Sequence, residues 1–373
     1  MKLLISIARI IVGVLFIFSG LVKANDPLGL SYKMQEFFEV WGWNFLNDFT
    51  LSFSILMIAF EIIAGVAVLL GWRMKLFSWL LLLLILFFTF LTGYAVLSGK
   101  IRTCGCFGDC IPLTAEQSFT KDLILTALIV FIFLFRNKIQ PLFRPFASGL
   151  LLVLATVFSF GLQGYVLKHL PIVDCLPYKV GKNIQQQMKV PAGAIPDSSV
   201  ITFVYNKLGK QVEFTSDQFP ADFDDSIYHF VKRYDKLVRK GNAEPAIKDF
   251  ALASLAGADS TTAILEQKGT ALFLFVKDEM DTSYDRKENQ QLRQITGYAK
   301  TKNMPLYLIT NARDVTARFA AATKQNAVTF MCDAVAIKTA ARANPTLYLI
   351  KDGNIKGKWA YADFKNALQQ IQQ

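Results

Sequence analysis

The chain carries no basic run interleaved with aromatic residues, so its formal net charge of +11 over 373 residues does not read as a nucleic-acid surface. Charge is scarce in the first 170 residues, which hold only eight of the 29 acidic side chains and 13 of the 40 basic ones. Cytoplasmic loop charges plus a mildly basic domain near anionic lipid account for the balance better. No clean small-residue cleavage site follows the first apolar run, which favours an anchor over a removed signal peptide. Histidine is nearly missing, with two residues in all. Only His169 falls near the cysteines, at the expected end of a helix, where a lone histidine is usually structural.

The first half instead holds five long apolar runs, over 3–22, 51–71, 76–97, 119–135 and 146–167. Each approaches the roughly 20 residues needed to cross a bilayer, so the lipid bilayer is the first partner. The 72–75 loop carries Arg73 and Lys75 without an acid, and the 136–145 loop carries Arg136, Lys138 and Arg144 without one. These loops are expected to be cytoplasmic. The expectation is a cytoplasmic (inner) membrane protein with its N-terminus in the cytoplasm and residues 171–373 outside, in the periplasm of a Gram-negative cell.

On that layout all five cysteines (Cys104, Cys106, Cys110, Cys175 and Cys332) lie on the outer side, and none sits in an apolar run or a cytoplasmic loop. That is the compartment where disulfides persist. Three of them form Cys104-Gly-Cys-Phe-Gly-Asp-Cys110, and Cys175 follows the fifth run closely. A C-x-C ring is small and strained, which makes it readily reduced, and Gly105 permits the bend. Three readings stay open: thiol–disulfide exchange, structural pinning of the loop, and a soft-metal thiolate site. No metal site is assigned. Two charges lie within apolar runs, Arg9 and Glu61. Such groups usually face the bundle interior with a partner, and an Arg9–Glu61 pair is one expectation. Snorkelling of Arg9 and a protonated Glu61 bonding a neighbouring helix are the others.

The stretch Ala8-Arg-Ile-Ile-Val-Gly-Val-Leu-Phe-Ile-Phe-Ser-Gly-Leu-Val-Lys23 resembles the opening of DoxX-family membrane proteins, and Glu61-Ile-Ile-Ala-Gly65 resembles that family's second-helix motif. Cys104-Gly-Cys-Phe-Gly108 resembles the loop of the related MauE-like proteins. The whole pattern is similar to DoxX/MauE fusions of the Bacteroidetes type. The resemblance covers about 1–136 and implies a four-helix transmembrane domain working in disulfide maturation. Residues 137–170 would add a fifth helix.

Residues 171–242 read as an extracytoplasmic, β-rich juxtamembrane linker. A hairpin is expected over 200–214 and a charged, partly helical stretch over 222–240. From 243 to 373, strands and helices alternate before a final hairpin and helix, giving an α/β domain with a mixed sheet. The order resembles the thioredoxin fold in its TlpA and peroxiredoxin-like form. Asp249-Phe-Ala-Leu resembles the leading hairpin, and Asn344-Pro345-Thr346 the cis-proline recognition loop. Where that family places Trp-Cys-x-x-Cys, this chain reads Lys277-Asp-Glu-Met-Asp-Thr-Ser-Tyr-Asp285, without cysteine. Cys332, after a strand, is either a reactive thiol or an inert one.

The expected architecture is thus an α-helical transmembrane bundle, four DoxX/MauE-like helices plus a fifth, followed by a soluble α/β thioredoxin-like domain lacking CxxC. The expected function is membrane-bound thiol–disulfide exchange or disulfide maturation, with a domain that docks an extracytoplasmic client or redox partner. Cys104, Cys106, Cys110 and Cys175 would carry the chemistry of a thiol–disulfide oxidoreductase. The alternative is a non-catalytic scaffold of an envelope complex with structural disulfides. No cofactor motif is evident; a quinone is permitted but unsupported, since it needs a lipid-facing pocket near the cysteine cluster.

Overall fold

A computed structural model describes residues 2–101, 105, 107–195, 198–239, 241, 243–277 and 286–373. Among them, five helices are long and apolar enough to cross a membrane. They are α1 (Lys2–Ala24), α3 (Thr50–Leu70), α4 (Met74–Ser98), α5 (Ala115–Leu134) and α6 (Pro145–His169). Between the first two lies a helix the sequence did not announce, α2 (Pro27–Trp41). It lacks a membrane-length apolar run, so only its ends mark it: Pro27 opens it, the Asp26 side chain accepts from the Gly29 N–H, and Gly42 closes it with φ +72°.

α1 and α3 pack backbone to backbone. A Cβ on Gly65 would stand 2.9 Å from the Gly13 carbonyl oxygen, so only glycine permits this approach. The charges in these helices pair differently from the Arg9–Glu61 expectation. Arg9 donates to the carbonyls of Val68 (3.1 Å) and Leu69 (2.9 Å), the unpaired end of α3. Glu61 is ion-paired with Lys23 and accepts from the Ser19 hydroxyl at 3.1 Å. The correction follows from antiparallel packing. Arg9 lies level with the last turn of α3, while Glu61 is about two turns further along and meets the far end of α1.

After α6 the chain enters the soluble region. Helix α7 (Ile184–Gln187) is followed by β1 (Ser198–Lys207), β2 (Lys210–Thr215) and β3 (Tyr228–Arg239), an antiparallel sheet ordered β2-β1-β3. The β1–β2 hairpin occurs as expected, with Lys207 opposite Lys210. The partly helical expectation for 222–240 is wrong: β3 pairs with β1 from Ser198↔Arg239 to Lys207↔Tyr228. Its charges suggested a solvated helix, but the long-range ladder and an aromatic cluster decide. Tyr205 lies 5.2 Å from Phe223 and 5.6 Å from Phe230, centroid to centroid.

The remaining elements are β4 (Ala253–Ser254), α8 (Thr261–Leu265), β5 (Thr270–Val276), α9 (Lys287–Thr301), β6 (Leu306–Thr310), α10 (Val315–Thr323), β7 (Val328–Met331), α11 (Ala334–Ala340), β8 (Thr346–Lys351), β9 (Asn354–Ala360) and α12 (Phe364–Gln372). The sheet runs β4-β7-β6-β5-β8-β9, with β5, β6 and β7 parallel and the others antiparallel. Central β5 is buried on both faces: Phe273 and Phe275 enter one core, Leu272, Leu274 and Val276 the other. This is a thioredoxin-like arrangement, its leading hairpin reduced to the two-residue β4. Tyr178 and Ile184, assigned by sequence to the linker, fill the first core. The Gly181 N–H donates to Ile355 at 2.8 Å, so this stretch belongs to the soluble fold rather than merely leading to it.

Candidate thiol–disulfide site

The described part of the cysteine loop turns on Gly105 and Gly108, both at positive φ, with the Gly108 N–H bonded to the Gly105 carbonyl at 3.0 Å. Phe107 packs on Phe18 of α1, and the Lys121 ammonium lies 5.0 Å from its ring centre. Cys110 is disulfide-bonded to Cys175, 65 residues away, with the two Cα atoms 4.9 Å apart. The bond ties the loop to the segment leaving α6. Asn25 fastens the same segment, exchanging two hydrogen bonds with the Val173 backbone at 2.8 and 3.0 Å. Cys104 and Cys106 lie outside the described residues.

One end of the thioredoxin-like sheet faces this loop. The Asn344–Pro345 peptide is cis. Asn344 accepts from the Lys277 N–H at 2.9 Å, so the cis-proline loop lies at the end of β5. Thr346 is buried, and its hydroxyl donates to the Ala343 carbonyl at 2.8 Å. Arg342, two residues before Asn344, is only 5% exposed. Its guanidinium donates at 2.7 Å to Asp26, at the mouth of α2, and at 2.7 Å to Asp109, the neighbour of Cys110. A third bond, 2.6 Å to the Lys338 carbonyl, fixes it to α11. Burial would lower the guanidinium pKa, but the two carboxylates outweigh it and hold Arg342 above its ordinary value. Burial pushes the Asp26 carboxyl upward despite the facing arginine.

Tyr32 of α2 gathers further cations from the domain. Its hydroxyl accepts from Lys277 Nζ at 2.9 Å, and Lys338 and Arg342 each lie 5.3 Å from its ring centre. Lys338 also donates to Gln35 at 3.2 Å. On the other flank, His169 at the end of α6 contacts Asp363 at 2.9 Å, and buried Lys358 pairs with Asp174 at 2.8 Å. His169 therefore couples membrane helix and domain, a structural task.

Cys332 stands apart from this face. It is 7% exposed in the domain core, and burial pushes its thiol up to about 11. A raised pKa and burial both disfavour the thiolate at neutral pH, which favours the inert reading of Cys332 over the reactive one. Sequence reasoning missed Asp26, Tyr32, Asp109 and Arg342. The only available signal was position: Asp109 precedes Cys110, and Arg342 precedes the cis-proline loop. Nothing local joins residues that are 233 apart.

Residues 1–136 match the family described as Methylamine utilisation protein MauE. Residues 199–240 match a family described as Domain of unknown function (DUF8463). Protein TlpB of Flavobacterium psychrophilum is 25% identical over 207 residues, 55% of this chain and 56% of that protein. The chain thus spans about half the length of the curated relative it matches. No solved structure matches. The membrane part, residues 1–136, is MauE-like, and the β4–β9 sheet has the thioredoxin-like order; the matches carry the MauE resemblance and not the DoxX one.

Proposed function

We propose that this protein performs thiol–disulfide exchange at the outer face of the cytoplasmic membrane, with the cysteine loop of the MauE-like bundle supplying the sulfur chemistry that the thioredoxin-like domain lacks. The observation that carries this reading is the contact between Arg342, beside the cis-proline loop, and Asp109, beside Cys110. This contact between the thioredoxin-like domain and the residue beside Cys110 supports a reading in which the cis-proline loop serves as a recognition face next to the cysteine loop. A docked domain of this kind holds an extended client near the loop, its membrane anchor keeping the effective concentration high.

Cys104 and Cys106 are the proposed exchanging pair, with Cys110–Cys175 next in the chain. A client thiolate attacks one sulfur of a loop disulfide, forms a mixed disulfide and releases the other sulfur as a thiolate. The client's second thiolate then attacks the mixed disulfide. The client loses two electrons and two protons and gains an S–S bond, while the loop disulfide becomes two thiols. A rise of the domain away from the loop, breaking the Arg342 contacts, opens the way for a client.

The test is acid trapping of intact cells followed by differential alkylation and mass spectrometry of all five cysteines. Cys104 and Cys106 are expected as a mixture of reduced and oxidised forms that shifts when oxidant is added. Complete oxidation that does not respond, with function unchanged in Cys104→Ser and Cys106→Ser, would replace this reading with a stapled scaffold.

A further inference from the structure

The MauE-like bundle encloses a cavity of about 430 Å³ directly beneath the cysteine loop. Gly105 and Phe107, the described residues of the loop that flank Cys106 in sequence, line it. Nine aromatic side chains contribute to the wall, which suits a flat conjugated ring better than a saturated chain. Phe53, Leu56 and Phe87 line the cavity and are also exposed on the bundle's outer surface, where lipid would lie. The cavity therefore opens sideways toward the bilayer.

Its polar groups are few: Ser19, Thr92, Lys33 and two ion pairs. Lys23 and Glu61, 3% and 1% exposed, form one ion pair in the wall. Lys121 and Asp122, 2.8 Å apart, form another, and Asp122 also accepts from the Thr92 hydroxyl at 3.1 Å. Ionised groups inside a membrane protein are costly. A slot for an acyl chain has no use for them, and a wall this apolar gives a hydrophilic solute little to bind. The lining asks for an amphiphile with a flat, hydrogen-bonding, ring-shaped head and an apolar tail leaving through the lateral opening.

We propose that this cavity binds the head group of an isoprenoid quinone, which accepts the electrons of the cysteine loop. The inference rests on the exchange reading above, because thiols formed by a client must be reoxidised by a two-electron acceptor. The step balances: two loop thiols lose two electrons and two protons and form one S–S bond. The two quinone carbonyl oxygens take up both electrons and both protons, giving the hydroquinone. Lys23–Glu61 and Lys121–Asp122 are the groups at the wall that bond those oxygens and relay the protons.

The experiment uses the full chain in nanodiscs, with decylubiquinone as probe and decylbenzene, a tail without carbonyls, as control. Trp41 lines the cavity and reports binding by fluorescence quenching, the signal being assigned with Trp41→Phe. Saturable quenching is expected, at least tenfold tighter than for decylbenzene. It is expected to be weakened about tenfold or more by Glu61→Gln and to be lost when Met34→Trp fills the cavity. The dithiol-reduced wild type is expected to turn quinone into hydroquinone, and the double cysteine variant is not. In case Met34→Trp misfolds, an azido-quinone photolabel is mapped by peptide sequencing and is expected on the cavity-lining stretches of α1 to α5. Equal binding of quinone and decylbenzene, or a label lying elsewhere, would overturn the proposal while leaving client exchange untouched. Quinone bound tightly but never reduced, with no exchange on a dithiol client, would overturn both.

Discussion

Two of the charge clusters among the described residues differ in reach. Lys23–Glu61 joins neighbouring helices of one bundle, through residues 38 apart, in a setting where neither charge meets water. Arg342–Asp26–Asp109 joins two independent cores through residues 316 and 233 apart, and Asp109 keeps 41% of its side chain exposed. The first cluster can break only by damaging the bundle. The second can be exchanged for water, one contact at a time, without disturbing either core. An element meant to stay shut and an element meant to open would be built in these two ways.

The comparison is broken most forcefully at Lys23. Lys23→Met leaves a buried carboxylate alone, an error of about 3–5 kcal/mol. We expect a large fall in the melting temperature of the purified protein, mostly recovered when Glu61→Gln is added. Arg342→Ala should cost less, about 2–3 kcal/mol, because the interface admits water to the stranded acids. Here both cores stay folded while domain–bundle cross-linking falls. Asp26→Asn is expected to be milder than Arg342→Ala, because burial already works against the ionised form of Asp26. The sign follows from its raised pKa. Asp26 favours docking below the ordinary carboxylate range, and that contribution is lost as pH rises through its docked pKa. Cross-linking of the wild type should therefore strengthen on acidification, and Asp26→Asn should flatten the profile.

Smaller changes sharpen the same contrast. Tyr32→Phe removes the hydroxyl that receives Lys277 but keeps the ring, an effect of about 1 kcal/mol on docking. Tyr32→Leu should roughly double it by removing the cation–ring contacts as well. If both substitutions leave domain–bundle cross-linking unchanged, the cation cluster on α2 does not hold the domain.

What the sequence made legible divides along the same line. The apolar runs appear within a few residues as helices, because crossing lipid dictates length and composition. The run 271–276 appears as β5 because a strand buried on both faces must be apolar throughout. What stayed hidden is long-range. The charges of β3 looked like a solvated helix until the pairing with β1 was known. Arg9 and Glu61 were both rightly placed inside helices, yet their partners depended on helix level. Cys110 and Cys175 carried no mark of being partners. The cysteine loop was legible as a candidate site, but the carboxylate beside it that receives Arg342 was not.

The smallest expected effect concerns Cys332, and it tests the proposal that the sulfur chemistry belongs to the membrane loop. The domain has no cysteine at the usual dithiol position, so Cys332 is its only thiol. With its pKa pushed up to about 11, only about one molecule in a thousand carries the thiolate at pH 8. Burial then limits access further. In the native protein, alkylation of Cys332 by a maleimide at pH 8 should be at least a hundredfold slower than in the denatured chain, with Cys332→Ala confirming the assignment. The raised pKa also means that this thiol stabilises the fold fully below its unfolded value of about 9 and less as pH climbs toward 11. Native reactivity should therefore rise steeply over that interval, through both ionisation and loosening. Rapid labelling at pH 8 would show instead that the domain keeps a usable thiol of its own, and its docking over Cys110 would then lose its chemical reason.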